Sequence, residues 1–207
     1  MPEYKAPFLK EKFQILNFSD FILNYYTKAK NQEHANLLLL LYLTGARPSE
    51  ITLLKRENIT IEKKYIRIIL QTKKRRGYAE RLILIPLSSE QIKALADYLT
   101  SKVFPKEYVF PSFARLRNPR KLLIELNEEC GIGYTIDGIF YPFSFYFFRK
   151  NILTLLAMNG ADVIELLFFK GASLEFIFKS AGYYIQYSRE IAEKIAKILE
   201  KIIKYEI

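Results

Sequence analysis

Leu37-Leu38-Leu39-Leu40-Leu41-Tyr42-Leu43-Thr44-Gly45-Ala46-Arg47-Pro48-Ser49-Glu50-Ile51-Thr52-Leu53-Leu54 decides how the chain is read. The apolar run predicts a helix stopped by Gly45, where a left-handed backbone meets no Cβ clash. Pro48 predicts the start of a second helix, ending near Lys55-Arg56, because its missing N–H is not needed in a first turn. Arg47 is thereby held at the mouth of a helix N-terminus, beside backbone donors that attract an anion. Glu50, three residues on, lies on the same side and can brace the guanidinium. Two readings follow: a phosphate clamp, or a buried helix hairpin whose Arg47 snorkels to water.

Charge favours the first. Lys and Arg number 32 against 22 Asp and Glu, and the excess of ten positive charges points to nucleic acid. A membrane-surface reading is weaker, because no strongly amphipathic basic helix is evident. No apolar run reaches the ~18 uninterrupted residues a membrane span needs. The single Cys130 cannot form an intrachain disulfide, which suits a reducing, cytoplasmic location. With His34 the only histidine, a dense zinc site is excluded, and no metal or other cofactor is expected. His34 itself is read as a cap or a solvent-facing residue.

Outward from the opening stretch, residues 1–12 read as a loose arm. Ile15, Leu16, Phe18, Phe21, Ile22 and Tyr25 give residues 14–30 helical spacing, with Ser19-Asp20 as a cap. Period-two patterns at Ile59–Ile61, Tyr65–Leu70 and Arg81–Pro86 predict three short strands, the last two joined by a basic turn over 72–78. A helix over 88–101 follows, then a loop with Pro105 and Pro111. A basic segment with Arg115, Arg117, Arg120 and Lys121 leads into a helix ending near Cys130-Gly131. Residues 131–140 read as irregular. From Tyr141 the chain is mostly helical, broken at 160–162 and 170–173. A terminal helix over about 188–205 carries a stripe of Ile191, Ile195, Ile198, Leu199 and Ile202. The class is mainly α with a small antiparallel sheet (α+β), expected as a single catalytic domain over 1–207 with no separate N-terminal DNA-clamping domain.

The order of these features resembles the catalytic domain of tyrosine recombinases, the phage-integrase family, over roughly residues 30–205. Leu43-Thr44-Gly45-Ala46-Arg47-Pro48-Ser49-Glu50 is similar to the family's first box. Thr72-Lys73 resembles the catalytic lysine on its hairpin, and Tyr146-Phe147-Phe148-Arg149 occupies the place of its His-x-x-Arg. Residues 160–171 resemble the segment that ordinarily ends in Gly-His, with Gly171 as its glycine. Tyr183-Tyr184 sits where the nucleophile belongs: counting from Ala172 favours Tyr183, reading back from Ser188 favours Tyr184, and Tyr184 is preferred, with Tyr187 a distant third. The tail 188–195 is similar to integrases of archaeal spindle-shaped viruses. Two departures stand out, Tyr146 and Ala172, both at positions where most members carry histidine.

The resemblance implies a metal-independent recombinase acting on double-stranded DNA, as a homo-oligomer through the C-terminal helix. A weakened relative that holds DNA without cutting it is the alternative. The chemistry suits the residue types. Arg47 and Arg149 match phosphate oxygens bidentately and keep their charge. Lys73 can protonate a leaving oxygen. A tyrosine phenol, with pKa near ~10, must be activated to attack. Tyr146 can donate to phosphate but is a poor base. Lys74, Arg75, Arg76, Arg115, Arg117, Arg120, Lys121 and Lys150 are assigned to DNA-backbone contact, although the 73–76 run is also compatible with an ordinary solvated turn. The aromatic run 143–148 is read as core.

Overall fold

The computed structural model describes residues 14–74, 77–101, 107–171 and 181–204, without the side chains of 73, 74, 77–79 and 181–188. The arm at 1–12, Arg75, Arg76, Pro105 and Ala172 lie outside the described residues.

The leucine run makes the central helix, α2 (Gln32–Thr44), whose residues Leu37 to Leu43 are all fully buried. A helix apolar on every side has no solvent face, so it must be surrounded. Asn31 caps it, accepting the His34 N–H at 2.8 Å. Its companions in sequence are α1 (Phe18–Asn24) and α3 (Pro48–Thr52). The N-terminal helix is shorter than its periodicity predicts: Asn17, not Ser19-Asp20, is the cap, and the chain tightens into a 3₁₀ turn at Tyr26–Lys28. Helix α3 is also short, because the backbone beyond it turns to pair elsewhere. Leu54 accepts from Val109 N–H at 3.0 Å, and Arg56 N–H donates to Glu107.

Strands β1 (Ile59–Ile61), β2 (Tyr65–Lys74) and β3 (Gly77–Pro86) form an antiparallel sheet in that order. Ile66, Ile68 and Leu70 alternate inward on β2. The ladder runs further than expected: Lys73 pairs with Tyr78 and Lys74 with Gly77, so the backbone of Lys73 belongs to a strand and not to a flexible turn. Next come α4 (Glu90–Thr100) and α5 (Pro119–Glu129). Residues 131–140 are not irregular. Strands β4 (Gly133–Ile136) and β5 (Ile139–Pro142) form a hairpin, closed by Asp137 and Gly138, both at positive φ. Two such residues give the turn whose twist matches paired strands.

Helices α6 (Phe145–Met158), α7 (Val163–Lys170) and α8 (Ala181–Lys204) complete the described chain. Phe143, Phe145, Phe147 and Phe148 are buried, as the core reading of the aromatic run expects. Helix α8 starts earlier than predicted, so the backbone of Tyr183 and Tyr184 lies inside it rather than before it. Its Ile191, Ile195, Leu199 and Ile202 are buried within this domain, α8 lying on β3, α6 and α7, while Ile198 is only partly buried. Among the described residues no helix is long and apolar enough to cross a membrane. His34 does not face solvent: it is 1 % exposed, its Nδ1 accepts the Lys30 backbone N–H at 3.2 Å at the start of α2, and its Nε2 lies 2.9 Å from Asn127 Oδ1 of α5.

Candidate active site

Gly45 ends α2 at φ 54°, with its N–H on the Leu41 carbonyl at 2.8 Å. Its missing Cβ also serves packing. A Cβ there would lie 2.9 Å from the Arg149 Cα, so α6 crosses at this point. Arg47 follows in extended conformation just before α3. Its backbone N–H donates to Glu50 Oε2 at 2.7 Å, and its Nη1 donates to Glu50 Oε1 at 2.9 Å and to Thr72 Oγ1 at 3.2 Å. The guanidinium is therefore held by its neighbours rather than snorkelling to water.

On α6, Arg149 donates from Nη1 to the Gly45 carbonyl at 2.9 Å. Its Nη2 donates to the Lys170 carbonyl, and Nη2 of Arg47 donates to the same oxygen at 2.9 Å. Two guanidinium groups 102 positions apart in sequence (149 − 47) therefore converge on one acceptor. That acceptor is a carbonyl at the C-terminal end of α7, where unpaired carbonyls carry the helix's partial negative charge. Burial, joined by the positive charges of Arg81 and Arg47, pushes the Arg149 pKa down to about 10. Positive charge is crowded here.

The sequence reading missed Arg81, which is 4 % exposed on β3. Its Nε and Nη2 grip Glu50 Oε1 and Oε2 at 3.1 and 2.8 Å, while its Nη atoms also reach the carbonyls of Thr44 and Phe169. Thr72 Oγ1 donates to Glu50 Oε1 as well. A signal was available: Arg81 shares its strand face with the buried Ile83 and Ile85, and a charge on a core face requires a partner of opposite sign. Gly171, the glycine singled out by the resemblance, sits at φ 67°, and a Cβ on it would lie 2.9 Å from Arg81 Cδ and 3.3 Å from Arg47 Nη1.

An open groove of about 850 Å³ runs over this pocket. Arg47, Arg149, Arg117, Arg120 and Tyr146 line it, and Tyr146 is 56 % exposed. Arg115 and Lys121 do not. Arg115 donates to Tyr108 Oη at 2.9 Å with its guanidinium over that ring, and Lys121 pairs with Glu125 at 3.2 Å. Lys150 follows Arg149 on α6 but is not among the lining residues. The side chains of Lys73, Lys74, Tyr183, Tyr184 and Tyr187 lie outside the described residues.

The domain thus joins a helical body and a small sheet to two arginines turned on one oxygen beneath a groove lined by further arginines. The chain belongs to the phage integrase family, whose model matches residues 11–167. The match ends before Gly171 and the tyrosines. A tyrosine recombinase of Pseudothermotoga lettingae is 26% identical over 137 residues, 65% of this chain and 43% of that protein. The fold is shared with XerH site-specific recombinase bound to palindromic difH substrate in a post-cleavage complex, at TM-score 0.55 and 19% identity over 92% of this chain and 54% of that one. The pre-cleavage XerH complex with difH gives TM-score 0.52 and 18% identity, over 85% and 49%. The chain thus spans about half the length of these proteins.

Proposed function

We propose that this chain cleaves and rejoins double-stranded DNA as a site-specific recombinase, through a 3′-phosphotyrosyl intermediate. The observation that carries this reading is the convergence of Arg47 and Arg149 on one oxygen, beside a groove with Arg117 and Arg120. A phosphodiester oxygen in place of the Lys170 carbonyl would take donors from both arginines. Charge building on the non-bridging oxygens during attack would strengthen those bonds, the condition for catalysis rather than mere binding. The tyrosine, Tyr184 by preference and Tyr183 otherwise, gives its phenolic proton to solvent, and its oxygen forms the bond to phosphorus as the bond to the 5′ oxygen breaks. Lys73 gives that oxygen its proton. The ester keeps the energy of the broken bond, so rejoining needs no nucleotide, and guanidinium groups rather than a metal supply the charge.

Assembly of copies on DNA through the C-terminal helix belongs to the same proposal. Since the Ile191–Ile202 stripe is already buried in its own domain, that contact would fall to the exposed face of α8. A cytoplasmic location and an origin among archaeal viral integrases also belong here, the latter resting on the 188–195 tail. Tyr146 and Ala172 favour a second reading, a family member that grips DNA without cutting it. A duplex nicked near the scissile bond separates the two. The recombinase traps a covalent protein–DNA adduct that Tyr184→Phe abolishes and Arg149→Lys reduces at least about a hundredfold. Salt-sensitive binding with no adduct on any nicked duplex establishes the second reading instead.

A further inference from the structure

Arg81 is buried beneath the pocket and yet has no free donor. Its five N–H groups all have acceptors: Glu50 Oε1 on Nε, Glu50 Oε2 and Thr44 O on Nη2, Thr44 O and Phe169 O on Nη1. It cannot itself bind a ligand. What it does is occupy both oxygens of Glu50 in the fork-to-fork geometry that makes the strongest guanidinium–carboxylate pairs. Arg47 reaches the same carboxylate through one Nη1 and its backbone N–H, which leaves its Nη2 directed at the Lys170 carbonyl.

Counting charges gives the consequence. Arg47, Arg81 and Arg149 stand against Glu50 alone, so the cluster carries an excess of two positive charges. Remove Arg81, and the buried carboxylate would have Arg47 as its one remaining charged partner in this cluster. The charge of Arg47 would then be offset by its own brace. We propose that Arg81 is a positioning residue: it takes up the charge of Glu50 and so leaves the positive charge of Arg47 available to a phosphate oxygen. The inference rests on the recombinase reading only for the identity of that phosphate as a DNA phosphodiester. Arg81 also ties the ends of α2 and α7 together through Thr44 and Phe169, which sets where the Lys170 carbonyl stands between the two arginines.

The probe is inorganic phosphate, titrated into the full chain labelled with ¹⁵N-arginine, with the Nε–H resonances of Arg47 and Arg149 followed. Arg81→Gln should weaken phosphate binding about tenfold, since an uncompensated carboxylate then faces Arg47. Adding Glu50→Gln to that variant should bring binding back to within about threefold of the parent, and Arg81→Lys, which keeps the charge, should stay in the same range. A purely structural Arg81 gives the opposite pattern, in which the double variant binds no better than Arg81→Gln. That pattern, unchanged affinity in Arg81→Gln, a Lys variant as weak as the Gln variant, or no phosphate response in the parent chain would each overturn the proposal. Should Arg81→Gln fail to fold, the double variant decides alone: near-parental affinity supports the proposal and lost affinity overturns it. None of these readouts requires DNA cleavage, so absence of an adduct would defeat the recombinase reading and leave this result standing.

Discussion

Replacing Glu50 with Gln tests the buried cluster through its pH dependence. The carboxylate is fully buried, and burial alone would raise its pKa. The charge and hydrogen bonds of Arg81, with those from Thr72 and the Arg47 backbone, more than reverse this and draw it down from 4.5 to about 2. A carboxyl whose pKa is lower folded than unfolded stabilises the fold above the unfolded value. That contribution is lost as pH falls from 4.5 towards about 2. At ~1.4 kcal/mol for each tenfold change, the difference amounts to about 3 kcal/mol at neutral pH. The same size follows from leaving Arg81 unpaired, which costs about 3–5 kcal/mol. Glu50→Gln should therefore lower the urea-derived stability by about 3 kcal/mol at pH 7, measured by circular dichroism. The gap between parent and variant should narrow below pH 4.5, because the parent's advantage is itself titrating away. Other carboxylates titrate equally in both proteins and cancel in the difference. A gap that stays constant from pH 7 down to pH 3 would refute the reasoning, since the loss would then be one of shape and not of charge.

Two further outcomes are expected. Gly45→Ala combines a left-handed backbone with a Cβ 2.9 Å from the Arg149 Cα, and should cost about 2 kcal/mol or more in thermal unfolding; a loss under about 0.5 kcal/mol, as at a free surface position, would contradict the close approach of α6. Burial lowers the His34 pKa below 6.5, partly offset by the Asn127 hydrogen bond, so the fold prefers the neutral ring and its contribution is lost as pH falls below that value. As His34 is the chain's one histidine, urea midpoints at pH 7.5 and 5.5 should differ in the parent and differ less in His34→Gln; equal differences would show that the ring does not titrate with folding.

Much of the pocket was legible because its parts obey local rules. A glycine stop, a proline start and an acid three residues on fix Arg47 and Glu50 with no knowledge of the rest of the fold. Arg149 was legible for a different reason, through its place in the segment that resembles the family's His-x-x-Arg. The β4–β5 hairpin was legible and overlooked: Asp137-Gly138 between Tyr134-Thr135-Ile136 and Ile139-Phe140-Tyr141 is a strong short-range hairpin signal, outweighed by the glycines around it. Arg81 was half legible, since its strand face revealed its burial but not that its partner lay on α3. The Lys170 carbonyl was not legible at all. A backbone oxygen has no residue type, and only the packing of α7 against β3 brings it between two arginines.

That shared oxygen changes what it means for the pocket to be filled. An anion arriving there meets donors already engaged, so its uptake is an exchange of one acceptor for another rather than the filling of a gap. The net gain is the difference between a full negative charge and the dipole of one peptide group. A fully charged phosphate oxygen would make that exchange favourable by itself, and a ligand with additional contacts along the groove would gain more. On the recombinase reading proposed above, a long polyanion would add contacts with Arg117 and Arg120 to that gain.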